Sequence, residues 1–226
     1  MSKKIYLSSS NQINNIYAAG NTNECEQCNR IAEFAKTALE RCGFEVKKAA
    51  QGQNMNTSIK ESNDFQADLH IPIHTNAFNA QTLGGTLVMI YSNATENKKA
   101  GSAILNAVAP ISPGSDYSLR VNPGLAELNA TKAVAVYLEV EFHDTKDGAN
   151  WIINNVKAIG EAICKGVCEF YGVNYVSESN SDTTGPSQKL YRVQIGAFSQ
   201  KSNAENCLQK AKNAGFPDAF IKEVQP

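Results

Sequence analysis

The segment Ala133–Val140 is apolar at almost every position, and it constrains the fold more than any other feature of the sequence. A strand with one solvated face alternates polar and apolar residues, whereas an unbroken apolar run indicates a strand buried on both faces. Such strands occur mainly in parallel sheets that are covered by helices. The segment therefore predicts a central strand of an α/β domain.

Predicted strands and helices alternate through the first 175 residues. Helical periodicity and short apolar runs predict helices at 24–42, 97–109 and 149–171, and strands at 5–7, 44–46, 67–74 and 84–91. Gly43 is placed to end the first helix. This alternation predicts the fold class α/β, with a mostly parallel twisted sheet flanked by helices. Functional sites of such sheets lie at the carboxyl ends of the strands.

A polar segment divides the chain. Residues 176–188 are rich in Ser, Thr, Asn and Asp and contain almost nothing that a core could bury, which predicts a flexible linker. We therefore expect a larger domain at 1–175 and a small module at 189–226. The module reads as a single βαβ unit, with a strand at 190–198, a helix at 203–214 and a strand at 219–224.

Charge and hydropathy exclude several classes of partner. The formal net charge is -1, and Lys and Arg form no cluster, which argues against nucleic acid and anionic membranes as partners. No segment approaches the roughly 20 apolar residues of a membrane span. The N-terminus lacks the apolar core of a signal peptide, so we expect synthesis in the cytoplasm without Sec export.

Six cysteines are present, which we interpret as reduced thiols because secretion is not predicted. Cys25-x-x-Cys28 has the spacing of a redox or zinc-binding pair, but no second pair at metal-binding spacing accompanies it. Ordinary buried thiols are therefore the simpler interpretation.

Three side chains at expected strand and helix ends have the chemistry of a hydrolytic metal site. Glu24 begins a helix, His74 ends the third strand, and Glu139 lies near the end of the most apolar strand. A hydrolytic zinc centre needs about three protein ligands, an open position and a carboxylate that moves protons. Each residue also has an ordinary interpretation: a helix-dipole cap, a hydrogen-bonded imidazole and a salt-bridged carboxylate.

At these positions the chain resembles the Amidase_3 family of zinc-dependent N-acetylmuramoyl-L-alanine amidases. Ile71–Ala77 is similar to a family motif whose histidine binds zinc, which corresponds to His74. Ala135–Phe142 is similar to the closing motif, which makes Glu139 the catalytic residue. Glu24, with the helix that follows, matches the family's glutamate ligand. The resemblance covers residues 4–173 and implies hydrolysis of the amide between N-acetylmuramic acid and L-alanine in peptidoglycan.

The chain departs from the family at the remaining zinc ligand. The family has a histidine after its first strand, whereas this chain has Ser8–Asn15, in which an ungapped alignment places Asn11 at the missing position. The amide oxygen of Asn11 or Gln12 is therefore a candidate ligand, weaker than imidazole. His143 and Glu141 share a strand face with Glu139 and are candidates for contacts behind the ligands. Substrate-binding candidates are Asn76, Gly84 and Gly85.

The C-terminal segment resembles a SPOR domain, a peptidoglycan-binding module. Leu190–Phe198 and the helix after it are similar to the opening of that module, although only about half of its βαββαβ layout is present. Half a module leaves an unpaired strand edge, which predicts either a homodimer formed through two such halves or packing of the half module on another surface. Together with the missing signal peptide, the resemblance predicts a phage-type or mother-cell lysin that is released onto bacterial peptidoglycan rather than secreted. Two alternatives stay open: a catalytically inactive wall-binding protein with an amidase fold, and a zinc peptidase that cuts the stem peptide.

Overall fold

The computed structural model describes residues 2–79, 84–178, 195–216 and 221. The chain divides into two compact units, Met1–Thr183 and Thr184–Pro226. The first unit contains six strands, β1 (Lys4–Ser9), β2 (Glu45–Lys48), β3 (Leu69–Asn76), β4 (Leu87–Ile90), β5 (Ser118–Val121) and β6 (Val134–Phe142). Its helices are α1 (Glu24–Arg41), α2 (Met55–Phe65), α3 (Thr95–Val108), α4 (Ala126–Asn129) and α5 (Lys146–Tyr171). The second unit contributes α6 (Lys201–Asn213).

The six strands form one sheet in the order β2-β1-β3-β6-β4-β5. Strands β2, β1, β3 and β6 are mutually parallel, which confirms the predicted α/β class and its mostly parallel sheet. Strand β4 pairs antiparallel with β6, and β5 pairs parallel with β4. The last two strands therefore run against the other four, and β6 lies inside the sheet as its apolar sequence predicts.

One face of the sheet is apolar and carries the main core. Alternate residues of the central strands, among them Leu7, Ile71, Ile73 and Leu138, join one buried cluster with the inner sides of α1, α3 and α5. Helix α5 packs against both α1 and α3 in this layer. Burial of these aliphatic side chains is the main driving force for the arrangement.

The opposite face of the same strands is polar. Tyr6, His70, His74 and Tyr137 alternate with the core residues and therefore lie on this side. The Tyr6 hydroxyl donates to Glu61 of α2 at 2.8 Å, and α4 packs beside β6. Buried polar groups need partners, so the short helices α2 and α4 supply carboxylates to this face. The sequence patterns did not predict these two helices or β5.

Several sequence predictions concern the end of the chain. Helix α6 corresponds to the helix predicted at 203–214, whereas residues 195–198 have no regular secondary structure. Most of the predicted linker, and most of both strands predicted in the module, lie outside the described residues. All six cysteines carry free thiols. Among the described residues, no helix is long and apolar enough to cross a membrane.

Candidate active site

The loop between β1 and α1 folds back on the start of the helix and fixes Glu24 there. Asn23 caps the helix, its side-chain oxygen accepting from the backbone N–H of Glu26 at 3.0 Å. The backbone N–H of Glu24 donates to the Asn15 carbonyl at 2.9 Å, and the Asn15 amide donates to Glu24 Oε2 at 2.6 Å. Only 1 % of Glu24 is exposed, so its carboxylate is held in one place inside the domain.

His74 meets this carboxylate from the end of β3. Its Nδ1 lies 2.8 Å from Glu24 Oε1, and its ring stacks on Tyr137 with centroids 4.6 Å apart. Burial alone would lower the pKa of His74, but the carboxylates around it outweigh burial and raise the pKa to about 9. Burial raises the pKa of Glu24, but the hydrogen bond and charge of His74, together with hydrogen bonds from Asn15 and Ser10, outweigh burial and lower the pKa. The predicted glutamate and histidine are therefore direct neighbours.

Gln12 is the amide that reaches this pair. Its Nε2 lies 3.3 Å from His74 Nδ1, while its Oε1 accepts from Asn15 at 2.8 Å. An amide turned by half a rotation presents its oxygen in place of its nitrogen. Gln12, Glu24 and His74 therefore converge on one point. Asn11, the other candidate for the family's missing histidine, uses its backbone carbonyl to accept from Ile13.

Glu139 lies beside His74 in the neighbouring strand, where the two residues are register partners of β3 and β6. Its Oε2 is buried and has no hydrogen-bond partner among the described residues. Burial raises the pKa of Glu139 to about 7, with a lesser opposite effect from the charge of His74 and a smaller increase from Glu24. A carboxyl with a pKa near neutrality is able to accept and return a proton at physiological pH.

Glu127 is a site residue that the sequence patterns missed. It lies on the short helix α4 and accepts hydrogen bonds from the Ser8 hydroxyl and from His70 Nε2, the latter at 3.3 Å. Its Oε2 lies 3.9 Å from His74 Nε2, a distance that makes an ion pair rather than a hydrogen bond. Burial raises the pKa of Glu127, but the two histidines outweigh it and lower the pKa to about 2.

The spacing of two histidines indicates that a carboxylate lies on this face of the sheet. His70 and His74 have even spacing on one buried strand and therefore face the same side of the sheet. Two imidazoles on a buried face need polar partners, and Glu127 forms a hydrogen bond with His70 and an ion pair with His74. The sequence does not identify which of its 22 acidic residues does so.

His143 lies behind the ligand candidates rather than among them. Its Nδ1 contacts the hydroxyl and the carbonyl of Thr75 at 3.0 and 3.1 Å, and its ring stacks on Tyr17. The Tyr17 hydroxyl also contacts Thr75, at 3.0 Å. Burial lowers the pKa of His143, which favours the neutral ring. His143 and Tyr17 therefore hold the backbone that directly follows His74.

Glu141 anchors two loops. Its Oε1 accepts from the backbone N–H of Gly85 at 3.0 Å, and its Oε2 accepts from the Ser112 hydroxyl and the Gly114 N–H. These contacts hold the chain before β4 and the chain before β5 against β6. The side chain of Glu141 is thus occupied by loop anchoring.

The loops held by Glu141 border a cavity of about 280 Å³. Two predicted substrate-binding residues, Asn76 and Gly85, line it. Gly85 has a φ of +115°, and a β-carbon there would lie 3.0 Å from the Asp116 carbonyl oxygen. Gly84 instead packs on the Phe142 ring, which a β-carbon would penetrate at 2.1 Å. The other lining residues are Phe78, Leu87, Asp116, Ser118, Arg120 and Phe142.

The donor set fits a divalent metal ion. A carboxylate and an imidazole nitrogen are ligands that zinc prefers, and the Gln12 amide, once turned to present its oxygen, would add a weaker neutral ligand. These groups lie beside the unpartnered carboxyl oxygen of Glu139. The second nitrogen of His74 faces Glu127, and metal-ligating histidines commonly place a carboxylate there.

Two family models match the chain. The family model described as N-acetylmuramoyl-L-alanine amidase (Amidase_3) matches residues 10–169, and the SPOR domain model matches residues 187–226. No curated protein sequence matches the chain.

Solved structures share the fold at low identity. The catalytic domain of the amidase CwlV from Bacillus (Paenibacillus) polymyxa is 15% identical over 76% of this chain and 99% of that one, with a TM-score of 0.68. An N-acetylmuramoyl-L-alanine amidase from Clostridium difficile 630 is 18% identical over 76% and 97%, with a TM-score of 0.68. The catalytic domain of CD27L, an endolysin targeting Clostridium difficile, is 22% identical over 76% and 98%, with a TM-score of 0.61. The chain belongs to the Amidase_3 family of N-acetylmuramoyl-L-alanine amidases.

Proposed function

We propose that this chain is a zinc-dependent amidase that hydrolyses the bond between the lactyl group of N-acetylmuramic acid and L-alanine in peptidoglycan. The family membership supports the reaction class. The observation that carries the zinc mechanism is the convergence of Glu24, His74 and Gln12 next to the buried, unpartnered oxygen of Glu139.

Glu24 and His74 would hold the ion, with Gln12 supplying a neutral amide oxygen where family members have a second histidine. The chemistry that zinc supplies when bound is polarisation of the scissile carbonyl and a lowered pKa of water. His74 must be neutral to bind a metal, and its second nitrogen, which then carries the proton, faces the carboxylate of Glu127 at 3.9 Å. The charge of Glu127 thus holds the imidazole in the tautomer whose Nδ1 is free to bind.

Glu139 moves the proton in this mechanism. Its unpartnered Oε2 accepts a proton from the attacking water and returns it to the nitrogen of L-alanine as that amine leaves. A pKa of about 7 suits both steps, because the group is a competent base before attack and a competent acid after it. Burial that keeps other partners away from Oε2 is what gives Glu139 this property.

The cavity beside the site offers a place for the peptide stem. Asn76 and the backbone of Gly85 supply hydrogen-bonding groups, and Arg120 supplies a cation for a stem carboxylate. The SPOR match at 187–226 supports attachment of the enzyme to peptidoglycan. Homodimer formation through that segment and arrival at the wall by release, rather than by secretion, stay predictions.

The test is digestion of purified peptidoglycan by the full chain with added zinc, followed by identification of the new ends. Amidase action releases peptides that begin with L-alanine and leaves intact lactyl groups on the glycan. Removal of zinc with a chelator should abolish release, and added zinc should restore it. A chain that sediments with peptidoglycan but releases nothing with zinc bound would be a binding protein. New ends within the stem peptide would indicate a peptidase.

A further inference from the structure

A cluster of three cysteines lies in the helical layer on the apolar face of the sheet. Cys42 ends α1, while Cys164 and Cys168 lie one turn apart on α5. The Sγ atom of Cys164 is 3.6 Å from that of Cys42 and 3.9 Å from that of Cys168, and all three sulfur atoms lie within 4.8 Å of one another. We refer to these residues as the thiol cluster.

The sulfur spacing is the first evidence that the thiol cluster is more than packing. Zinc binds thiolate sulfur at about 2.3 Å in a tetrahedral arrangement, which places neighbouring sulfur atoms about 3.8 Å apart. The two sulfur distances of the cluster bracket that value. Cysteine also packs as a small apolar side chain, but packing alone does not require three sulfur atoms to lie within 4.8 Å of one another.

The chain after α5 covers the thiol cluster and supplies polar groups to it. The backbone N–H of Val176 donates to Cys42 Sγ at 3.3 Å, and the Val176 carbonyl lies 3.8 Å from the same sulfur. Arg41 Nε donates to that carbonyl at 2.8 Å and its Nη2 pairs with Glu161 at 2.6 Å. The Val176 N–H is therefore a hydrogen-bond donor that a Cys42 thiolate would accept from.

Metal binding at the thiol cluster does not require the three thiols to be ionised beforehand. A soft divalent ion displaces thiol protons when it binds, so the thiols of the cluster would ionise on binding.

We propose that Cys42, Cys164 and Cys168 form a structural binding site for a soft transition-metal ion, with zinc as the physiological candidate. The three sulfur atoms supply three ligands, and water or the Val176 carbonyl completes the fourth position. The ion ties the end of α1 to α5 and to residues 173–178, where the chain leaves the first unit. The site is separate from the amidase centre, whose ligand candidates contain no sulfur.

Cobalt is the probe for this site, because thiolate ligands give cobalt(II) a strong near-ultraviolet charge-transfer absorption that oxygen and nitrogen ligands do not. The reduced, metal-free full chain should develop this absorption, saturate at one thiolate-bound ion per chain and lose it when zinc is added. The variants Cys164→Ser and Cys168→Ser should lose the absorption. Cys207→Ser, a matched control in the second unit, and His74→Ala should keep it.

Absence of the absorption in the unsubstituted full chain would overturn the proposal, whatever the variants do. The proposal would also be overturned if the absorption persisted when Cys164 and Cys168 are both replaced, or if Cys207→Ser lost it. Alkylation of the full chain followed by peptide mapping gives a measurement that needs no variant. Zinc should slow the modification of Cys42, Cys164 and Cys168, and an unchanged rate at all three would contradict the site.

Discussion

Two buried glutamates flank His74, and their surroundings give them opposite properties. Glu127 accepts hydrogen bonds from Ser8 and His70 and pairs with His74, and its pKa is about 2. Glu139 has a buried oxygen without a partner, and its pKa is about 7. Burial raises the pKa of both, so hydrogen-bond donors and positive charge decide which one stays ionised. One glutamate is thus a fixed anion, and the other is able to exchange a proton.

Replacing His74, the residue that both glutamates contact or adjoin, has the largest expected effect on activity. His74→Ala removes the proposed metal-binding imidazole from between the two glutamates, so we expect loss of both bound zinc and peptidoglycan hydrolysis. Zinc content and release of L-alanine-terminated peptides are the measurements, with circular dichroism as a control for folding. A folded variant that keeps full activity would contradict the assignment.

Glu139→Gln tests whether Glu139 transfers the proton during hydrolysis. Removing a general acid–base group costs roughly 10²- to 10⁴-fold in rate, so we expect hydrolysis to fall by that factor while zinc stays bound. Retention of zinc distinguishes this result from that of His74→Ala. Full activity of the zinc-loaded variant would assign proton transfer to another group.

Glu127→Gln tests whether the ionised carboxylate of Glu127 supports metal binding by His74. Changing a carboxylate behind a ligating histidine typically weakens metal affinity by about 10- to 100-fold. We therefore expect weaker zinc binding, with activity largely restored when zinc is saturating. Glu61→Gln is a matched control, because Glu61 also accepts a hydrogen bond on the polar face, from Tyr6. Equal zinc affinities in the two variants would show that Glu127 does not support His74.

The pH dependence of the hydrolysis rate tests the raised pKa of Glu139. Glu139 is competent as a base only when ionised, and its pKa is raised, so the rate should fall below about pH 7, approaching tenfold per pH unit. Zinc occupancy must be measured at each pH, because protonation of His74 competes with the metal. An acid limb centred near 4.5, the ordinary value for glutamate, would contradict the raised pKa.

Gln12→Ala has the smallest expected effect. A single neutral polar contact is typically worth about 1 kcal/mol, or roughly fivefold in an equilibrium constant, so zinc affinity should fall by a few-fold. Asn11→Ala is the matched control and should leave the affinity unchanged, because Gln12 rather than Asn11 contacts His74. The reverse result would make Asn11 the ligand.

Much of the fold followed from periodicity. The apolar run at 133–140 predicted a buried central strand. Helices α1 and α5 have apolar residues at helical spacing, and these residues pack against the sheet. The opposite direction of β4 and β5 did not follow, because a short apolar strand has the same sequence pattern in either direction. The four-residue helix α4 is too short to show a helical period.

The sequence by itself determined the layered α/β fold and the positions of Glu24, His74 and Glu139, because strand and helix periods and the family motifs are local properties of the chain. Only the tertiary structure brought Glu127 to His74, chose Gln12 over Asn11 as the contacting amide, and joined Cys42 to Cys164 and Cys168. Those contacts join residues far apart in sequence, and the protonation of each group depends on partners that only folding assembles.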